Sequence, residues 1–194
     1  MSGIISDNLD KESGLIKSSV TTYDDNKIQA NIALLGFKMA VNEDLVKYNL
    51  QDQIIDEYED GSGIDAGAST NETLVSATYY KGSGSNLTLQ STDTTAEVEP
   101  DYADMVILME DAEGTATLNT DIKGYISEDS GSTFTQGTFV NEGSWGTNKK
   151  ILAFHDLDIS AQSGTSMCYK IETLNQSAGS KETYIHATSI GWKE

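Results

Sequence analysis

The sequence of 194 residues contains no arginine: all 12 of its basic side chains are lysines, set against 31 aspartates and glutamates for a formal net charge of −19. A chain this acidic repels phosphate, so nucleic acid is excluded as a partner. With no guanidinium it also lacks the planar fork that clamps phosphate, sulfate or carboxylate groups bidentately. The same charge argues against an anionic membrane surface, and no charge-free apolar run approaches the ~20 residues of a transmembrane helix. The opening stretch MSGIISDNLDKE has no apolar h-region, so the expectation is a chain without a secretory leader. One cysteine, Cys168, permits no internal disulfide and reads as a small, partly buried hydrophobe in a reducing compartment. Proline occurs once, at Pro100, and histidine twice, at His155 and His186.

What is abundant is glycine (17 residues), with serine, threonine, aspartate and asparagine, the residues of polar turns between short strands. The chain divides into three parts. Residues 1–25 are polar with scattered apolar pairs, and read as an arm ordered only by lying on something else. In 26–51, after the potential N-caps Asp24, Asp25 and Asn26, apolar residues recur at helical spacing. Written as heptads, Ile32, Met39 and Val46 take a positions, and Ile28, Leu35, Asn42 and Asn49 take d positions. Leu34, Phe37, Val41 and Leu45 widen the apolar face beyond one stripe. Two outcomes stay open: a helix packed on its own domain, or a self-associating bundle. Residues 52–194 read as β, with strands expected at 74–80, 87–91, 105–110, 115–128, 134–140, 150–159, 166–175 and 182–192. The fold expected is mainly β, a jelly-roll or concanavalin-like sandwich preceded by an arm and one α-helix. The run Met105–Met109, apolar at every position, belongs in the centre of a sheet or under another element.

Each tempting constellation has a simpler reading. Ser127-Glu-Asp129-Ser-Gly131-Ser-Thr133-Phe134 fits the Asp-box pattern S-x-D-x-G-x-T-[FW]. Its mechanics are those of a turn: Asp129 accepts from turn amides, Gly131 takes positive φ, and Phe134 anchors the hairpin to the core. The acidic loop around Asp56, Asp60 and Asp65 invites calcium, but an EF-hand starting at Asp56 would need an oxygen ligand at Tyr58 and a bidentate glutamate at Gly67. Solvated loop carboxylates are therefore expected, with calcium as the weaker alternative and no other cofactor. On an alternating strand His155 shares a face with Ile151, Ala153, Leu157 and Ile159, turned from Asp156 and Asp158, and reads as a hydrogen-bonded, partly buried histidine. There is no G-x-S-x-G elbow and no distinguishable carboxylate pair, so no enzyme is expected.

Longer strings carry a resemblance. Ile55-Asp-Glu-Tyr-Glu-Asp-Gly-Ser-Gly-Ile-Asp65 followed by Ser69-Thr-Asn71 is similar to a D-x-F-x-D-x-x-G-I-D…S-x-N opening. Asn119-Thr-Asp-Ile122, Asp158-Ile-Ser-Ala, Ser163-Gly-Thr-Ser-Met167, Tyr169-Lys-Ile-Glu-Thr-Leu-Asn175 and Ile185-His-Ala…Trp192 look like the body of the same group, and Ala33–Val41 like its upstream segment. Over residues 28–193 the chain resembles the β-sandwich structural proteins of tailed bacteriophages, especially marine ones. The resemblance implies a non-enzymatic virion surface protein, a short fibre or head-decoration protein. It would be made in the host cytoplasm, trimeric, and attached to capsid or tail proteins. In that picture Ile28, Ile32, Leu35, Met39, Asn42 and Val46 serve attachment and oligomerisation. The competing reading is a calcium-assisted module that binds host surface glycans during adsorption, with Tyr79, Tyr80, Trp145 and Tyr184 as the sugar-stacking candidates. A virion-borne depolymerase is a third class, for which no acid pair stands out.

Overall fold

A computed structural model describes residue 25 and residues 27–194. The expected arm, together with Asp24 and Asn26, lies outside the described residues; Asp25 is already helical. Helix α1 covers residues 27–47, a stretch free of proline with one glycine, Gly36. It stops where Asn49 enters the left-handed region (φ 55°) and the Leu50 amide donates back to the Leu45 carbonyl at 3.1 Å.

Twelve strands follow: β1 Asp52–Asp56, β2 Glu72–Val75, β3 Tyr79–Gly82, β4 Leu87–Gln90, β5 Thr94–Thr95, β6 Tyr102–Glu113, β7 Ile122–Ser127, β8 Thr135–Gln136, β9 Val140–Ser144, β10 Lys149–Asp158, β11 Ser166–Thr173 and β12 Glu182–Lys193. They form two antiparallel sheets. In the larger one β12 is the spine. β6 pairs along one edge of it, and β3 and β1 share the other, at Tyr184–Ile185 and Thr188–Trp192 respectively. β10 and then β9 extend the sheet beyond β6, and β2 extends it beyond β3. The smaller sheet runs β4-β11-β7-β8, with β5 beside the start of β11.

The expected β-sandwich is therefore present, and its strand boundaries carry the corrections. Residues 74–80, expected as one strand, are a hairpin, because Ser76 and Ala77 both adopt positive φ (51° and 52°) and turn the chain between β2 and β3. The expected strand at 115–128 shortens to β7, since Thr117 and Asp121 close a turn, Asp121 Oδ2 accepting from the Thr117 amide at 2.9 Å. Residues 134–140 split into the whole of the two-residue β8 and the first residue of β9.

The two sheets close on one core. Met105, Ile107, Met109, Ile185, Ile190 and Trp192 face Leu87, Leu89, Ile122, Ile126, Met167, Tyr169 and Ile171. Gly124 permits close approach: an added Cβ would lie 2.8 Å from Met105 Sδ. The uninterrupted run Met105–Met109 is explained by burial on both faces. Met105, Ile107 and Met109 enter the sandwich core, while Val106 and Leu108 point outward under α1. There they meet Ala33, Phe37 and Val41 of the helix, with Ile151, Ala153 and Ala187 from the neighbouring strands. Cys168 is fully buried rather than partly so, and burial, with the Asp93 charge, pushes its thiol up to about 12.

Candidate functional site

Helix α1 divides the outer face of the larger sheet. Its central stripe is apolar, and each end carries a histidine placed at a β-bulge. In β10 the register with β6 shifts between Phe154 and Leu157, and in β12 it shifts between Ile185 and Ala187. A bulge re-aims the side chains that follow it. So Leu157 and Ile159, expected to share His155's face, pack into the sandwich core instead, while Ile151 and Ala153 stay under the helix.

At the β10 bulge, His155 gathers three carboxylates. Nδ1 lies 3.1 Å from Asp104 Oδ2 and 3.4 Å from Asp44 Oδ2, and Nε2 lies 2.8 Å from Glu142 Oε1. The Asp156 amide donates to Asp104 Oδ1 at 2.8 Å, and Tyr48 stacks flat on the imidazole with centroids 4.2 Å apart. Asp44 comes from the last turns of α1, Asp104 from β6 and Glu142 from β9, so four elements converge here. Burial opposes charging of the imidazole. The hydrogen bonds to Asp104 and Glu142 and the nearby carboxylate charges outweigh it and hold His155 up at about 9. Burial drives Asp44 the other way from an ordinary carboxyl, up to about 7, with His155 opposing and Glu142 and Asp104 adding to the rise. The expectation of a hydrogen-bonded, partly buried histidine holds. Its carboxylate partners have no signature in local sequence: Glu142 is 13 residues away in the chain, Asp104 is 51, and Asp44 is farther still.

At the β12 bulge, His186 Nε2 lies 2.7 Å from Glu110 Oε2, and Lys149 Nζ binds the same oxygen at 2.7 Å. Burial opposes ionisation of Glu110, but these two hydrogen bonds prevail and pull its carboxyl down to about 2. Beside them the phenol rings of Tyr79 and Tyr184 stack with centroids 4.5 Å apart, and Tyr79 tilts against His186 at 5.2 Å. Tyr184 donates to Glu182 at 3.1 Å, and Lys81 lies 5.5 Å from its ring centroid. Of the four aromatic residues proposed from sequence for sugar contact, these two meet. Tyr80, next in β3, points the opposite way into the core, edge-on to Tyr58 at 4.9 Å. Trp145 lies against α1, its indole filling the space beside Gly36.

The weak calcium candidates do not converge. Asp56, Asp60 and Asp65 each accept from the amide two residues on, those of Tyr58, Ser62 and Gly67, all at 2.8 Å. Their chemistry is that of turn closure. Tyr58, which disqualified the EF-hand, is a core plug whose hydroxyl meets Thr188 at 2.6 Å and Tyr169 at 3.3 Å. At the Asp-box, Asp129 accepts from the Thr133 amide and hydroxyl, and Gly131 has positive φ (77°). Phe134 departs from expectation: it covers the outside of the smaller sheet against Tyr125, and Phe139 is the residue that enters the core.

The residues assigned to attachment and oligomerisation share one face of α1. Ile28, Ile32, Leu35, Met39 and Val46 are between 41% and 81% exposed, while the helix uses Ala33, Phe37 and Val41 to hold the sheet. Among the described residues neither histidine has a serine, threonine or cysteine hydrogen-bond partner, so neither is placed to activate a nucleophile.

No family model matches the chain, and no curated protein matches it. Among solved structures it is similar to the C-terminal family 6 carbohydrate-binding module of a marine laminarinase from Zobellia galactanivorans, at 9% identity and a TM-score of 0.41 over 72% of this chain and 99% of that one. A family 35 carbohydrate-binding module from Clostridium thermocellum matches at 13% identity and a TM-score of 0.38, over 72% and 97%. A family two carbohydrate esterase from Cellvibrio japonicus matches at 7% and 0.40, over 73% of this chain and 34% of that one. Identities and scores this low transfer no residue role.

Proposed function

We propose that this chain is a non-catalytic glycan-binding β-sandwich, displayed in several copies through α1 and serving adsorption at a virion surface. The observation that carries the binding role is the Tyr79–Tyr184 pair with its rim. Two stacked phenols lie beside Glu110, Glu182, His186, Lys81 and Lys149. Sugar rings present C–H faces that pack on aromatic carbon and hydroxyls that exchange hydrogen bonds with carboxylates, imidazoles and amines. An outward sheet face that combines both is suited to that class of ligand. The extensive acidic surface favours neutral glycans over sulfated or uronic ones.

The test is a glycan array probed with the full chain, then with Tyr184→Ala and Tyr79→Ala. Binding that falls by about tenfold or more in both variants, the loss expected when a central aromatic contact is removed, supports the reading. A silent array overturns it. It would leave the second reading, a purely structural virion surface protein, which the exposed heptad face of α1 favours independently.

A further inference from the structure

We infer that Asp44, Asp104 and His155 form a site for a zinc-class divalent metal ion, one that clamps the end of α1 to the sandwich. Among the described residues, this is the one set of three histidine, cysteine or acidic side chains whose ligand atoms lie within 4.8 Å of one another. The Nδ1–oxygen separations of 3.1 and 3.4 Å match the ~3.3 Å expected between neighbouring donors of a tetrahedral zinc ion with bonds of roughly 2.0–2.1 Å.

Four further features point to a cation. Asp44 is buried, at 5% exposure, and its Oδ2, facing His155, has no hydrogen-bond partner among the described residues. A buried carboxylate oxygen without a donor is costly, and a metal ion satisfies it. The far side of the imidazole is already arranged as metal-bound histidines require: Nε2 sits 2.8 Å from Glu142, so its proton is held there while a metal ion takes the place of the Nδ1 proton that faces Asp44 and Asp104. Asp104 is oriented in the same manner, its second oxygen accepting from the Asp156 amide. Finally, three carboxylates surround a single imidazole, an excess of negative charge that a divalent ion neutralises.

The donor set identifies the metal class. One imidazole nitrogen with two carboxylates suits zinc and its first-row neighbours, whereas calcium takes 6–8 oxygens and has no use for the nitrogen. An open cleft of about 480 Å³ between α1 and β9, lined in part by Glu43, Asp44, Lys47 and Glu142, reaches the site at Asp44. Because Asp44 belongs to the helix and the other two ligands to the sheet, the ion would tie the two together.

The experiment is a Zn²⁺ titration of the full chain by calorimetry, with the bound metal counted after dialysis. One Zn²⁺ per chain is expected. Affinity should fall by at least tenfold in Asp44→Asn and His155→Gln, and by about tenfold in Glu142→Gln, a loss typical when the partner of a ligating histidine is removed. Nitrogen NMR of the unaltered chain guards against a variant that fails to fold. Zn²⁺ should shift Nδ1 of His155 and leave Nε2 protonated. Absence of stoichiometric Zn²⁺, binding unchanged in the three variants, a shift at Nε2 in place of Nδ1, or full displacement of Zn²⁺ by Ca²⁺ would each overturn the inference.

Discussion

Gly36 and Trp145 are in direct contact, the indole occupying the space that a Cβ at position 36 would need. The contact fixes how closely α1 approaches the β9–β10 turn, where Gly146 meets the helix again: an added Cβ there would lie 3.2 Å from the Gln29 carbonyl oxygen. Gly36→Ala therefore sets two effects against each other. Helix propensity improves by about 1 kcal/mol, while overpacking against a large aromatic costs about 1–3 kcal/mol. Steric conflict is expected to win, lowering the urea midpoint and shifting the tryptophan emission. Adding Trp145→Leu should recover part of the loss. A Gly36→Ala protein as stable as the parent would show that the indole moves aside freely.

The exposed face of α1 predicts assembly. Ile28, Ile32, Leu35, Met39 and Val46 follow heptad spacing and are not used to hold the sheet. Light scattering should find the full chain as an oligomer, with the trimer as the expected state. Ile32→Asp with Leu35→Asp should reduce it to a monomer with an unchanged circular dichroism spectrum. The substitutions face away from the sandwich, so monomer stability should change by no more than about 0.5 kcal/mol per site. A double variant with the parent's mass would remove α1 from assembly. Deleting the helix would test this poorly, because it would also uncover Val106, Leu108, Ile151 and Ala153.

The sandwich and the helix are legible in sequence because both rest on periodicity. Met105–Met109 announces a strand buried on both faces, and the heptad positions announce a second apolar face on α1. Both outcomes left open for that helix are compatible with the structure, since it packs on its own sheet with one set of residues and presents the other. What is illegible depends on long-range juxtaposition and on bulges. Leu157 leaves His155's face because a bulge breaks a strict period of two. The Asp44–Asp104–His155 cluster combines residues from a helix and two strands that no local spacing connects. Tyr80 fails as a glycan contact because single-residue chemistry does not reveal which side of a strand faces water.

The Asp-box should behave as a folding device. Asp129 Oδ1 accepts from the Ser127 hydroxyl at 2.6 Å and the Thr133 amide at 2.8 Å, and Oδ2 accepts from the Thr133 hydroxyl at 2.7 Å. Burial opposes its ionisation, yet these bonds hold the carboxyl below its ordinary range. Such a group stabilises the fold above its unfolded pKa, and that contribution fades as the pH falls through the lowered value. Asp129→Ala should cost about 1–3 kcal/mol at neutral pH, measured by urea unfolding, with little change in glycan or metal binding. A loss of binding without a loss of stability would make the turn part of a site.

Glu128, the residue before that aspartate, predicts the opposite pH dependence. It is fully buried, and neither carboxylate oxygen has a hydrogen-bond partner among the described residues. Burial, with the charges of Glu99, Asp129 and Asp101, raises its carboxyl from 4.5 to about 7. Below the lower value the folded and unfolded chains both hold the proton. Between the two, the folded chain keeps a proton that the unfolded chain has released, so stability falls as the pH climbs through this window and stays reduced above it. Glu128→Gln removes the titration while preserving the shape. It should stabilise the protein by about 1–3 kcal/mol at a pH of about 8 and change little at about 4, read from paired urea curves. An equal effect at both pH values would mean that the gain comes from packing, and that a charge buried beside Glu99 and Asp101 is not what limits the stability of this end of the sandwich.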